Sequence, residues 1–131
     1  MRNLLTLIPG VIGLILSGFA QADVARSQLT SAIEAREPTD DLFDTVVGTP
    51  GAITTVYFFN HLTNMDGETV VHKWLLNGEE KAVVTLPIAS NSWRTYSSKR
   101  LNSVLQGNWE VQVWVDDKKL QSHEFTFQIR E

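Results

Sequence analysis

The sequence predicts an all-β domain, an antiparallel sandwich of about seven short strands held together without a disulfide. Three observations carry this expectation. Hydrophobic residues recur with period two along most of the chain, the spacing that sets one side of a strand against a core. Turn-forming residues stand between those runs, Asn77-Gly78 the clearest of them. The chain of 131 residues, 43% hydrophobic and 20% charged, is large enough for one ordinary core. It has no cysteine, which excludes disulfides, thiolate metal sites and a cysteine nucleophile together.

Residues 1–22 read as an address rather than as fold. Arg2, the apolar stretch from Leu4 to Ala20 and the ending Ala20-Gln21-Ala22 describe a secretory signal peptide cleaved after Ala22. The alternative is a retained membrane anchor. Against it stand the shortness of the apolar run and its interruption by Pro9, Gly10, Gly13, Ser17 and Gly18. The domain then occupies residues 23–131, and its expected location is the bacterial periplasm or the cell exterior.

Within that domain, Leu29, Ser31, Ile33 and Ala35 share one side of a first expected strand. Ile53, Thr55, Tyr57 and Phe59 oppose Thr54, Val56 and Phe58 in a second, and Val70, His72, Trp74 and Leu76 line one side of a third. Val83 to Ile88 is a short apolar run. Trp109, Val111 and Val113 alternate with Glu110, Gln112 and Trp114, and Phe125, Phe127 and Ile129 close the chain. The alternation places Trp74, Trp109, Val111, Val113, Phe125 and Phe127 in the core. Asn64-Met65-Asp66-Gly67 and Asn77-Gly78 are turn signals, the latter fitting a type I′ hairpin, whereas Asp116-Asp117-Lys118-Lys119 is a turn without glycine. Two segments offer helix: a turn capped by Thr39 and running to Phe43, and Lys99 to Leu105.

The sequence lacks the common catalytic and cofactor-binding motifs. There is no phosphate-binding glycine loop, no Gly-x-Ser-x-Gly elbow and no His-Glu-x-x-His zinc helix. The net charge of −4 argues against nucleic acid as a partner. His61, His72 and His123 fall on separate expected strands, and no cofactor is implied. The acidic group Glu37, Asp40, Asp41 and Asp44 lacks the spacing of a calcium loop and reads as a solvated loop.

The most unusual segment is Trp93-Arg94-Thr95-Tyr96-Ser97-Ser98-Lys99-Arg100, which gathers aromatics, cations and hydroxyls in an acidic chain. Two readings compete. In one, Arg94 and Lys99 receive a carboxylate, phosphate or sulfate, the hydroxyls add donors, and Trp93 and Tyr96 stack on a sugar or a peptide side chain. In the other, Trp93 belongs to the core and Arg94 is paired internally with Glu37 or Asp40. In His72-Lys73-Trp74, period two turns His72 and Trp74 the same way and Lys73 the other.

Trp74 on a central strand, Gly107 to Val113 as the penultimate strand and Leu120 to Ile129 as the last resemble an immunoglobulin-like domain, a likeness of fold that says nothing about chemistry. A second resemblance is more specific. Arg36-Glu37-Pro38, Val56-Tyr57-Phe58-Phe59, Gly67, His72-Lys73-Trp74, Trp93-Arg94 with Ser97-Ser98-Lys99, and finally Gly107, Trp109, Val111, Leu120 and Phe125 resemble the bacterial domain of unknown function 2914 family over residues 25–129. The resemblance implies an envelope-associated β domain with no assigned activity, so it supplies no catalytic residue. It also makes Glu37 the first candidate partner of Arg94, because Arg36-Glu37-Pro38 and Trp93-Arg94 are its charged signatures. Pro38 biases Glu37 toward an extended backbone, and a carboxylate matches the guanidinium fork.

The sequence therefore points to a non-catalytic binding or accessory module of the cell envelope, with an envelope protein or glycan as partner and a membrane contact only through a retained N-terminal segment. The alternative is a small periplasmic hydrolase or metal-dependent enzyme built on His72 and Ser97 or Ser98. A cleft where His72, Ser97 and an acidic residue converge would favour the enzyme; a filled core with those groups paired off would favour the module.

Overall fold

The computed structural model describes residues 21–131. The expected signal peptide, residues 1–22, lies outside the described residues except for Gln21 and Ala22. The strands are β1 (Asp23–Thr30), β2 (Ile33–Glu34), β3 (Glu37–Pro38), β4 (Thr45–Gly48), β5 (Thr54–Thr63), β6 (Thr69–Leu76), β7 (Glu79–Pro87), β8 (Ser92–Leu101), β9 (Gly107–Val115) and β10 (Lys118–Ile129).

Two sheets face each other. One has the order β1-β5-β8, the other β4-β10-β9-β6-β7, and β2 and β3 form a separate hairpin. All pairings are antiparallel except that of β4 with β10. The first strand of the sandwich is thus split: β1 joins one sheet, and β4 crosses to lie parallel to the last strand of the other.

The alternation seen in the sequence becomes the core directly. Trp74 pairs with Val111, His72 with Val113 and Leu76 with Trp109, so these side chains share the inner face of the five-stranded sheet. Phe125 lies opposite Trp109 on the next strand. Their rings stack at 6.2 Å, and Trp74 meets Phe125 edge-on at 6.5 Å. Leu29, Val56, Phe58 and Leu62 fill the space from the other sheet. All six residues expected in the core are buried. Asn77 and Gly78 have φ of 49° and 85°, the left-handed pair that a type I′ turn requires.

Several local expectations are corrected. The first strand ends at Thr30 and does not run on through Ser31, Ile33 and Ala35. The Asp40 carboxylate stops it, accepting hydrogen bonds from Thr30 Oγ1 at 2.6 Å, Ser31 N at 2.8 Å and Ser31 Oγ at 2.6 Å. These bonds, from Ser31 first, hold the Asp40 carboxyl below its ordinary range. Ile33 and Ala35 belong instead to the β2–β3 hairpin, whose turn residues Ala35 and Arg36 have φ of 51° and 63°.

Thr39 caps no helix. Its hydroxyl donates to Ala32 O, and Asp41 accepts from Phe43 N in a turn. Lys99 to Leu101 extend β8; only Ser103–Leu105 form a 3-10 turn, capped by Asn102. In the Asp116-Asp117 turn, Asp116 takes the left-handed conformation that a glycine would otherwise supply, with φ of 52°.

Candidate functional site

Polar side chains gather in two places, one on each face of the three-stranded sheet. Along β5 the inward positions are Val56, Phe58, Asn60 and Leu62, so one amide interrupts an apolar row. His72 approaches that amide from the opposite sheet. It is completely buried, with Nε2 2.6 Å from Asn60 Oδ1 and Nδ1 2.6 Å from Ser97 Oγ. Trp74 Nε1 donates to Ser97 Oγ at 3.0 Å. Asn60 Nδ2 donates to Phe59 O at 3.0 Å and to Ser27 Oγ at 2.8 Å, and Ser27 Oγ donates to Gln121 Oε1.

The two ends of this chain fix the proton order throughout. Phe59 O only accepts, so the Asn60 atom beside it is the nitrogen and Oδ1 faces His72. His72 therefore carries its proton on Nε2. At the other end the Trp74 indole only donates, so the Ser97 proton is left for His72 Nδ1. Each group in the run Trp74–Ser97–His72–Asn60–Ser27–Gln121 passes a hydrogen bond in the same direction. Burial depresses the His72 pKa to about 3, so the imidazole is neutral.

A serine beside an imidazole is the first half of a nucleophile–base pair. Here the third member is a neutral amide, Ser97 is only 5% exposed, and its oxygen already serves Trp74 and His72. No acidic residue joins the run.

The second constellation lies outside. Register aligns Arg26, His61 and Arg94 across β1, β5 and β8 on the outer face. Glu37, carried over this row by the β2–β3 hairpin, takes a forked contact from Arg26 at 2.8 and 3.3 Å and a bond from Arg94 at 2.6 Å. The Arg26 hydrogen bond first, then that of Arg94, draws the Glu37 pKa down to about 2. The Arg26 guanidinium lies 5.0 Å over the Phe59 ring, leaving that outward phenylalanine 1% exposed. Arg36 lies 5.2 Å over the Trp93 ring and donates to Arg94 O at 3.3 Å. Further along, Tyr57 and Tyr96 meet edge-on at 5.8 Å, and Tyr96 is 45% exposed. Arg26, Arg36, Arg94 and Arg100 sit on or against this face, four of the five arginines among the described residues, in a chain of net charge −4.

The Trp93–Arg100 segment is divided by period two. Trp93, Ser97 and Lys99 turn inward, whereas Arg94, Tyr96, Ser98 and Arg100 turn outward. Arg94 and Lys99 therefore do not receive one anion together, and Ser97 and Ser98 lie on opposite faces. Glu37 and Arg94 do meet, with Pro38 following in β3, but the pair is 38–39% exposed rather than buried. His123 stands apart, donating through Nε2 to Phe43 O at 2.6 Å.

Sequence reasoning missed Arg26, the second partner of Glu37, and Asn60, Ser27 and Gln121 of the buried run. For Asn60 the signal was available: it is the polar residue in the inward phase of an aromatic strand.

Two solved structures share the architecture. An immunoglobulin-like protein from Pseudomonas aeruginosa superimposes with a TM-score of 0.61 at 14% identity, over 82% of this chain and 97% of that one. A CARDB domain from Pyrococcus furiosus, determined in complex with di-metal ions, gives a TM-score of 0.50 at 8% identity, over 84% and 94%. At such identities the likeness shows the fold, an immunoglobulin-like β-sandwich. No curated protein matches the chain by sequence. Residues 67–127, which run from the β5–β6 turn into β10, match the family model described as "Protein of unknown function (DUF2914)". Arg36-Glu37-Pro38 and the aromatic strand fall before this matched stretch. The match over residues 67–127 supports the resemblance to the DUF2914 family that the sequence motifs carry.

Proposed function

We propose that the chain is a non-catalytic binding or accessory module of the cell envelope, exported by residues 1–22, which meets an envelope protein or glycan through the outer face of the three-stranded sheet. The observation that carries this reading is the concentration of Arg26, Arg36, Arg94 and Arg100 with the half-exposed Tyr96 on one face of an acidic chain. Arginine and tyrosine are the side chains that gain most from contact, since each combines a flat apolar surface with a polar end. The hydrolase reading has less support, because His72 and Ser97 are sealed in the core and committed to Asn60 and Trp74. The di-metal ions of the Pyrococcus domain are not carried over: among the described residues no three His, Asp or Glu side chains group to hold a metal.

The test is photo-crosslinking in cells from residue 96, with residue 122 on the outer face of the other sheet as control. The expected result is crosslinks from 96 and none from 122; the reverse pattern overturns the choice of face. Mass spectrometry of the periplasmic fraction checks export, and the expected chain starts at Asp23. Recovery only of chain beginning at Met1 overturns cleavage.

A further inference from the structure

We propose that the free edge of β8 accepts an extended acidic polypeptide segment as an added strand, an inference that rests on the outer-face reading above and names its mode and partner. The backbone phase of β8 is set by its ladder with β5. In an antiparallel pair, alternate residues turn N–H and C=O toward the partner and the residues between turn them away. Asn64 N bonds Asn91 O at 2.8 Å where the two strands begin. Counting from there, Trp93, Thr95, Ser97 and Lys99 bond β5, while Arg94, Tyr96, Ser98 and Arg100 direct their backbone groups to the opposite edge. The Arg36 side chain already bonds Arg94 O on that edge, as this phase requires.

The edges of the sandwich are not equivalent. β7, an edge of the five-stranded sheet, carries Lys81 and Pro87 and is paired through a register shift. β1 has a shift between Val24 and Arg26. Proline and bulges are devices that stop an edge from pairing; lysine does not separate the edges, since β8 carries Lys99 as β7 carries Lys81. β8 has ten residues without proline or glycine, paired with β5 throughout in unbroken register, and among the described residues no strand occupies its other side.

Charge selects the occupant. The side chains that accompany the outward backbone groups are Arg94, Tyr96, Ser98 and Arg100. A second copy adding antiparallel with Tyr96 across from Ser98 would set Arg94 against Arg100, and like charges directly opposite are destabilising. An acidic strand places a carboxylate beside Arg100 and another at Arg94, where it exchanges with Glu37 and the strand's backbone replaces the Arg36 bond to Arg94 O. Arg94 and Arg100 are six residues apart, about 20 Å along a strand, so a segment of alternating acidic and apolar residues matches both. Strand addition draws affinity from main-chain bonds and selectivity from alternate side chains.

The experiment is fluorescence anisotropy of the protein with labelled ten-residue probes: a Glu-Val alternating peptide, a Lys-Val peptide, and two Glu-Val isomers N-methylated on one or the other set of alternate amides. Polygalacturonate serves as an anionic chain without peptide groups. The Glu-Val peptide is expected to bind and the Lys-Val peptide not to. One methylated isomer should bind about tenfold more weakly while the other is unchanged, since an added strand uses one set of its amides. Ser98→Pro should weaken binding by about the same factor, because it removes an N–H facing away from β5, where a strand tolerates proline. Ser98→Ala should leave binding intact.

Glu-Val binding indifferent to both methylation patterns overturns strand addition and leaves the outer face as the contact surface. Displacement of the peptide by polygalacturonate with unchanged sensitivity to charge likewise assigns the face to anionic glycans. Absence of peptide binding overturns the inference even where residue 96 crosslinks in cells, and absence of those crosslinks separately overturns the outer-face reading.

Discussion

On the inner face of the three-stranded sheet, Asn60 and Ser97 meet His72 across the sandwich; on its outer face, within three residues of these along the same strands, His61 and Arg94 lie under Glu37. Both sets are polar and both are extensively hydrogen-bonded, yet their surroundings give the bonds different consequences. Inside, each donor from Trp74 to Ser27 has a defined acceptor, and the proton positions follow from the ends of the run. A buried polar network so complete rigidifies a core, and loss of one member leaves others unsatisfied. Outside, Glu37 is shared between Arg26 and Arg94 at 38–46% side-chain exposure, where water competes for every bond. The inner set specifies the sandwich. The outer set anchors a hairpin at the surface, where its bonds exchange with water.

The largest effect expected from breaking this contrast is at Asn60. Asn60→Leu removes the acceptor of His72 Nε2–H and the donor to Ser27 and Phe59 O. Its cost should be about 3 kcal/mol, read as a lower urea midpoint. A midpoint equal to that of the parent would show that water satisfies these groups and that the run is not sealed.

The next effect is a pH dependence. The native His72 pKa is about 3 against an ordinary 6.5, so the unfolded chain takes up a proton that the folded chain refuses. Stability is complete above pH 6.5 and falls as pH drops, with a slope approaching about 1.4 kcal/mol per unit until the folded pKa is reached. Glu37 adds a loss in the same direction, but only below its ordinary carboxylate range, so urea titrations between pH 6.5 and 5 isolate the histidine. His72→Gln should flatten the dependence in that window; an unchanged slope would assign it to another group.

The smallest effect belongs to the outer clamp. Glu37→Gln should leave the urea midpoint nearly unchanged while amide exchange quickens in the β2–β3 hairpin, at Thr39 N, which bonds Ala32 O. A large drop in midpoint would mean that the clamp supports the sandwich as the core does.

The same contrast explains how much was legible in the sequence. β6, β9 and β10 follow from alternation alone, because each buries one face of a long strand and period two is then strictly imposed. The end of β1 was not legible. The chain there is stopped by Asp40, ten residues on from Thr30, and turned by Ala35-Arg36, which lacks the asparagine or glycine that usually marks left-handed residues. The parallel pairing of β4 with β10 joins segments about eighty residues apart and leaves no local trace. Glu37 with Arg94 was reachable from charge and a family resemblance. Arg26 was not, since its place in the row depends on the β1–β5 register and a bulge. His72 was recognisable as an inward histidine, but its partners Asn60 and Ser97 come from two other strands and only the fold assembles them.

Nitrogen-15 NMR of the His72 ring in the native protein between pH 7 and pH 4.5 tests the sealed, one-directional buried run most directly. The expected spectrum shows one neutral tautomer, protonated at Nε2 and unprotonated at Nδ1, with shifts constant across the range while the protein stays folded. Protonation of His72 in the folded protein with a midpoint near 6.5, or a neutral ring carrying its proton on Nδ1, would contradict it and show that the imidazole is open to solvent or bonded in another order.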